Sequence, residues 1–524
     1  MTAPARAGTR EWIGLAILAL PTLLVSLDVS VMILALPHIS VSLGADSAQQ
    51  LWIMDSYGFL LAGFMVTMGT LGDRIGRRKL LMCGGAGFGL ASIAAAFAPT
   101  AELLIVARML LGIAGATIAP SILALITNMF RDERQRGFAI SIWMVCFMGG
   151  MAIGPLAGGA LLERFWWGSV FLMGVPVMLL LLVTAPVLLP EYKAPNAGRI
   201  DLASVALSLG ALLPTIYGLK EIAKHGPAGV PLLAIAAGIG VGLVFVRRQQ
   251  HLSDPLLDLA LFRNKRFTTA VSAMFGISLT GGTMLFTSQY LQLVVGLSPL
   301  EAGLLTLPGV AAMVVMLLAT PVLAKRIRPA YLITIALVAS LPGVLLLARL
   351  DASSGVVPVV IALVLFQAGC APIVTLSSGI VMSSVVPEKA GSAAAISETC
   401  AELGFALGIA TFGSLFTFIY RGSVGGALPD GLPTTARAAA TDTISGAIEV
   451  ARTLPTAVGD AVLVAARDAF THGITVLALA CGALIASVAT LVWFRLRELP
   501  TLGGEATHPA PTSEAADEVV ALAS

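Results

Sequence analysis

Fourteen runs of about 20 mostly apolar residues follow one another along the chain, and each is long enough to cross a bilayer as a helix. They fall near 12–36, 51–70, 80–98, 102–125, 138–161, 168–189, 202–222, 228–247, 267–293, 301–324, 330–349, 356–384, 391–419 and 470–494. A helix satisfies its backbone N–H and C=O groups internally, which is what lets such a run lie in hydrocarbon. Only 11% of the 524 residues are charged, against about 25% in soluble globular proteins, which excludes a water-soluble chain. The fold class is therefore an all-α polytopic membrane protein. Lys plus Arg total 31 and Asp plus Glu 29, so the net charge of +2 offers no basic surface for nucleic acid.

Basic residues divide the connections into two kinds. Arg74, Arg77, Arg78, Lys79, Arg131, Arg134, Arg136, Arg247, Arg248, Arg263, Lys265, Arg266, Lys325, Arg326 and Arg328 fall on one side, while the opposite short loops hold Arg164, Lys220, Lys224 and Arg349. The positive-inside rule then places both termini in the cytoplasm. The chain divides into an N-terminal segment (1–11), a six-helix bundle (12–189), a linker with two inserted spans (190–266) and a second six-helix bundle (267–499). A tail follows (500–524), with too little bulk to fold. Residues 421–469 form a long outer connection with two helix-compatible stretches, Thr434 to Thr453 and Thr456 to Phe470, separated by Leu454-Pro455, which predict an external helical hairpin.

Ionisable groups in the hydrocarbon zone are costly and mark functional sites by default. The sequence offers Asp28, Asp55, Arg108, Glu398 and Glu402. Asp28 lies about 13 Å below the outer end of its span, and Asp55 about 6 Å below the outer start of the next. Glu398 and Glu402, four residues apart, share one helix face. Four acids against one arginine favour binding a proton or an organic cation; alternatively, Asp28 or Asp55 forms a static pair with Arg108. Tyr57, Trp143, Phe286 and Tyr290 are candidate pocket aromatics for cation–π contact. The five cysteines, Cys83, Cys146, Cys370, Cys400 and Cys481, and the five histidines, His38, His225, His251, His472 and His508, lie far apart, so neither a metal site nor an enzyme's catalytic cluster is expected.

Two glycine patterns stand out. Gly72, Asp73, Arg74, Gly76 and Arg77 connect spans two and three, where glycines permit a tight turn, Asp73 can accept bonds from helix N-termini and the basic residues anchor the loop. In span five, Gly150, Gly154 and Gly158 recur every four residues beside Pro155 and Gly159, a stripe on which another helix can approach closely to form a dry seam.

These residues resemble the major facilitator superfamily, and within it the fourteen-helix drug:proton antiporters. The loop after span two is similar to the signature GxLaDrxGrkxxl, and span five to gxxxGPxxGG. Leu27 to Pro37 is similar to LDxTVxNVALP, with Ser30 and Ile33 in place of Thr and Asn. Span four is similar to lxxxRxxqGxga through Arg108, Gly112 and Gly115, with Leu111 in place of Gln. Tyr290-Leu291-Gln292 and Gly296 to Pro299 match the ninth-to-tenth-span pattern. The second-half copy of the loop signature, around Ala324-Lys325-Arg326, lacks its Gly and Asp. Trp52 to Tyr57, Ser397 to Gly404 and the long outer connection resemble the quaternary-ammonium and methyl viologen efflux pumps.

The resemblance implies the major facilitator fold, two six-helix bundles plus two central inserted helices. It also implies a proton-driven antiporter in a bacterial cytoplasmic membrane that exports lipophilic organic cations such as quaternary ammonium compounds, dyes and biguanides. Asp28, Asp55, Glu398 and Glu402 would bind protons and cations, Arg108 would act in coupling or structure, and the hairpin would be a lid. Protons would be the only coupling agent, with no cofactor, and a monomer is expected. A proton-coupled carrier of a neutral metabolite with the same fold is the alternative. A membrane enzyme or a cation sensor that moves nothing is the more distant one.

Overall fold

The computed structural model describes residues 7–193, 201–226, 229–252, 255, 259–385 and 390–497. The first bundle holds α1 (Thr9–Leu43), α2 (Ser47–Ile75), α3 (Arg77–Ala96), α4 (Ala101–Met129), α5 (Glu133–Arg164) and a last span made of α6 (Ser169–Leu172) and α7 (Gly174–Leu188). The inserted pair is α8 (Leu202–His225) and α9 (Gly229–His251). The second bundle holds α10 (Lys265–Ser278) continued by α11 (Gly281–Gln289), then α12 (Pro299–Leu323), α13 (Pro329–Leu347), α14 (Val357–Ser383) and α15 (Ala390–Ala427). Two short helices, α16 (Thr434–Asp442) and α17 (Ile444–Thr453), lead into α18 (Thr456–Leu496). Among the described residues thirteen helical stretches are long and apolar enough to cross a membrane, and α2, bent by 53° between Ser47–Met65 and Thr67–Ile75, makes fourteen. No strand occurs among them.

Local chemistry sets the helix ends. Asp46 and Gln49 cap α2 reciprocally: the Asp46 carboxylate accepts from the Gln49 N–H at 2.8 Å, and the Asp46 N–H donates to Gln49 Oε1 at 3.0 Å. Ser298 and Glu301 do the same for α12, with Pro299 in its first turn. Gly44, at φ +61°, closes α1 in the left-handed conformation, which costs a glycine little.

One end of the bundle carries the basic connections and the other carries α16 and α17; these are called the basic end and the hairpin end. α8 and α9 pack on each other, a Cβ at Gly238 overlapping Thr215 and Ala211. Through α8 the pair sits on α2 and α15, one helix from each bundle, with Phe59, Ile216, Ala406 and Ala410 buried in their shared core. The two bundles meet where α2 lies on α15 and where α5 lies on α12. Val183, Val187, Leu233, Leu318 and Phe494, among other large apolar residues, stay exposed around the perimeter, as a lipid-facing surface requires.

The expected stretch Thr434 to Thr453 is two helices rather than one. It breaks at Thr443, whose side chain caps α17 by accepting from the Gly446 N–H at 3.0 Å. The stretch Thr456 to Phe470 is no separate element either, because α18 runs through it without interruption into the last span. The 500–524 tail and parts of the two linker segments lie outside the described residues.

Candidate functional site

Asp28 owes its position to the glycine stripe of α5. A Cβ at Gly150 would overlap Ser26 Oγ and Leu23 O, one at Gly154 would overlap Ser30 Oγ, and one at Gly158 would lie 2.7 Å from Val31 Cγ1. Only hydrogen fits at these three positions, so α1 lies against α5 on both sides of Asp28. Across the bundle boundary the same helix meets α12, where a Cβ on Gly159 would sit 2.6 Å from Leu300 Cα and one on Gly303 2.6 Å from Pro155 O. Asp28 Oδ2 accepts from Arg108 Nη1 at 2.6 Å, and Arg108, 1% exposed, also donates through Nε to Ile53 O at 3.1 Å. Gly112 and Gly115 of α4 let α2 approach so closely that the Arg108 guanidinium lies 4.7 Å from the centre of the Tyr57 ring.

Asp55 does not pair with Arg108. Its Oδ1 accepts from Lys220 Nζ at 2.9 Å, both side chains being no more than 1% exposed. Lys220 was expected in a short loop. Instead it reaches from the last turns of α8 into the core, where its Nζ also lies 3.9 Å from the centre of the Trp52 ring. The intramembrane set therefore contains two cations, not one. Trp52 and Asp55, three apart on α2, share a face, which was the available signal. Five residues from the end of its helix, Lys220 read as a loop residue.

With the two pairs counted, the surplus negative charge lies entirely on α15. Glu398 is exposed and Glu402 half-buried, and among the described residues neither pairs with a cation. They stand about 12 and 18 Å along α15 from its basic end. Tyr57, with the Arg108 guanidinium 4.7 Å from its ring centre, lies on α2, the helix of the first bundle that packs on α15.

The remaining candidates are placed elsewhere. Phe286 stacks on Phe416 at 3.9 Å in the hairpin-end core. Tyr290 is fully buried and donates its hydroxyl to Asp351 O at 2.7 Å. Trp143 is half-buried, its Nε1 donating to Thr22 Oγ1 at 2.8 Å. In the loop after α2, Asp73 accepts from Arg77 at 2.6 Å rather than from a helix N-terminus; that part falls to Glu191, which accepts from the Arg78 N–H at 3.1 Å. Gly76 ends α2 at φ +116°, and a Cβ there would overlap the Glu191 carboxylate. A Cβ at Gly72 would lie 2.9 Å from Arg77 Cδ, and Arg74 occupies the last turn of α2.

The hairpin end is closed. Asp442 at the end of α16 accepts from the N–H and Oγ of Ser47, at 3.0 and 3.1 Å, and from Arg421 of α15, so one carboxylate ties α2 of the first bundle to the second. The cavity beneath measures only about 30 Å³ and is lined by Leu36, Gln50, Phe286, Phe416 and Ile444, among others. Among the described residues no group of three His, Cys, Asp or Glu side chains could hold a metal ion.

Two helical bundles that meet through α2 on α15 and α5 on α12, with ionisable side chains on membrane-spanning helices of both, define a secondary transporter. The chain belongs to the Major Facilitator Superfamily, whose family model matches residues 18–409. It is 44% identical to the multidrug efflux pump LfrA of Mycolicibacterium smegmatis, over 94% of this chain and 97% of that one. To the methyl viologen resistance protein SmvA of Salmonella typhimurium it is 36% identical, over 93% and 98%. Among solved structures it is similar to a bacterial homologue of the human lysosomal transporter Spinster, in an inward-facing and unoccupied conformation. That match has a TM-score of 0.64 at 16% identity, covers 94% and 99% of the two chains, and bears on the fold alone.

Proposed function

We propose that the protein is a multidrug efflux antiporter that exchanges lipophilic organic cations for protons. The observation that carries this reading is the placement of charge: Asp28 is paired by Arg108 of its own bundle and Asp55 by Lys220 of the inserted pair, while Glu398 and Glu402 have no cation partner among the described residues. Two neighbouring carboxylates without a protein cation attract either protons or a cationic substrate. The relatedness to LfrA and SmvA supports drug efflux as the direction of use.

The basic end is assigned to the cytoplasm by its Lys and Arg excess, which puts the hairpin outside and the described termini inside a bacterial cytoplasmic membrane. With the hairpin end tied by Asp442, we read this conformation as the one that loads substrate from the cytoplasm. A cation entering from that side meets the α15 acids with Tyr57 and the Asp28–Arg108 pair opposite. Alternating access carries it outward, where protonation of the acids releases it. Moving one charge against the membrane potential costs about 2.3 kcal/mol per 100 mV, so exchange of one monovalent cation gains from the potential only if more than one proton returns. Two unpaired acids supply that capacity. The transporter is proposed to act as a monomer.

The test is reconstitution in vesicles acidified inside, with ethidium or a quaternary ammonium compound added outside. The wild-type protein should dissipate the pH gradient when the cation is added, and Glu402→Gln should do so at least about tenfold more slowly, a change of about 1.4 kcal/mol in the barrier. A folded wild-type protein that leaves the gradient untouched would remove cation exchange and bring forward symport of a neutral metabolite.

A further inference from the structure

The Lys220 ammonium sits in surroundings suited to an organic cation. It has a carboxylate oxygen at 2.9 Å on one side and an indole face at 3.9 Å on the other. Asp55 Oδ1 is its acceptor among the described residues, so a group with three N–H donors is held by one hydrogen bond and two electrostatic contacts. The second oxygen, Asp55 Oδ2, is buried and has no hydrogen-bond partner among the described residues. A pair built only for stability would satisfy both oxygens, because an unpartnered buried acceptor is costly. A carboxylate beside an aromatic face is instead what recognises an ammonium that donates few or no hydrogen bonds, above all a quaternary one.

We infer that Trp52 and Asp55 form an organic-ammonium subsite, and that Lys220 of the inserted helix is its resident, tethered occupant. The inference rests on the cation-transport reading. The ligand class is an alkyl- or arylammonium whose head group takes the place of the Lys220 Nζ. The position of α8 explains how the occupant leaves. It is wedged on α2 and α15, with Leu209 packed against Gly63 of α2 and Ile216 in the core shared with Ala406 of α15. When the two bundles separate at the hairpin end, α8 cannot keep both contacts. The ammonium is then drawn off Asp55, vacating the subsite for the head group of a departing substrate. In the closed state Lys220 refills it, so the two cations exclude one another and the inserted pair becomes part of the transport cycle.

The experiment is equilibrium binding of tetrabutylammonium and of ethidium to the purified full-length protein in nanodiscs, for wild type, Lys220→Met, Lys220→Met with Trp52→Leu, and Lys220→Met with Asp55→Asn. Removing the tethered competitor should tighten binding at least about tenfold, and each second substitution should return the affinity to the wild-type value or below. The Lys220→Met, Asp55→Asn protein contains no unpaired charge at this position and serves as the folding control. A folded Lys220→Met protein with wild-type or weaker affinity overturns the subsite while cation binding by the wild type leaves the transport reading standing. No cation binding by any folded variant, wild type included, overturns both.

Discussion

At the level of single residues, the charged groups in the membrane fall into two kinds with different consequences when removed. Asp28 neutralises a guanidinium that is 1% exposed, so Asp28→Asn strands a buried cation, at a cost of about 3–5 kcal/mol. Its thermal midpoint in detergent should fall by several degrees, and Asp28→Asn combined with Arg108→Gln should recover a large part of the loss, since neither partner is then left alone. Glu402→Gln strands nothing, because no described cation pairs with it. It should melt like the wild type while the proposed proton-coupled exchange slows at least about tenfold, and a comparable drop in melting temperature would show that the glutamate is a structural member of the bundle. The sequence made Asp28, Arg108 and the two glutamates visible because charges are rare in apolar runs. It hid Lys220 for a geometric reason: a lysine near a helix end reads as a snorkelling or loop residue, and only the packing of α8 on α2 turns it inward.

At the level of elements, the order of spans was legible from hydropathy alone, since a bilayer demands a run of fixed length whatever the neighbours are. The α5 stripe was legible as a packing surface, though its partners were not: that Gly150, Gly154 and Gly158 face α1 while Gly159 faces α12 depends on how the bundles dock. Gly154→Leu places a branched side chain where Ser30 Oγ already stands, and overpacking of this kind costs about 1–3 kcal/mol. The displaced helix is the one that carries Asp28, so transport should fall more than stability does; full transport with a lowered melting temperature would limit the stripe to packing. The break at Thr443 was missed because alanine and threonine around it are compatible with one continuous helix. Thr443 followed three residues later by Gly446 was the only local cue to a new helix start.

At the level of the whole molecule, closure at the hairpin end rests on few polar contacts, with Asp442 at their centre. Introducing Ser47→Cys and Asp442→Cys and bridging them with a short bifunctional thiol reagent should arrest transport, and cleavage of the bridge should restore it; unimpeded transport with the bridge intact would show that α2 and the hairpin travel together throughout. None of this was legible from the sequence, where residues 47 and 442 are 395 positions apart. One further consequence follows from α18. Its 41 unbroken residues make a rod of about 60 Å, roughly twice the thickness of the hydrocarbon core, with the hairpin mounted on its protruding part. Such a rod works as a handle. In the proposed orientation α16 and α17 face outward, so a large binder that grips them, such as an antibody fragment, should slow transport in intact cells without entering the membrane; unchanged efflux with the binder seated would show that α18 is not moved through its hairpin.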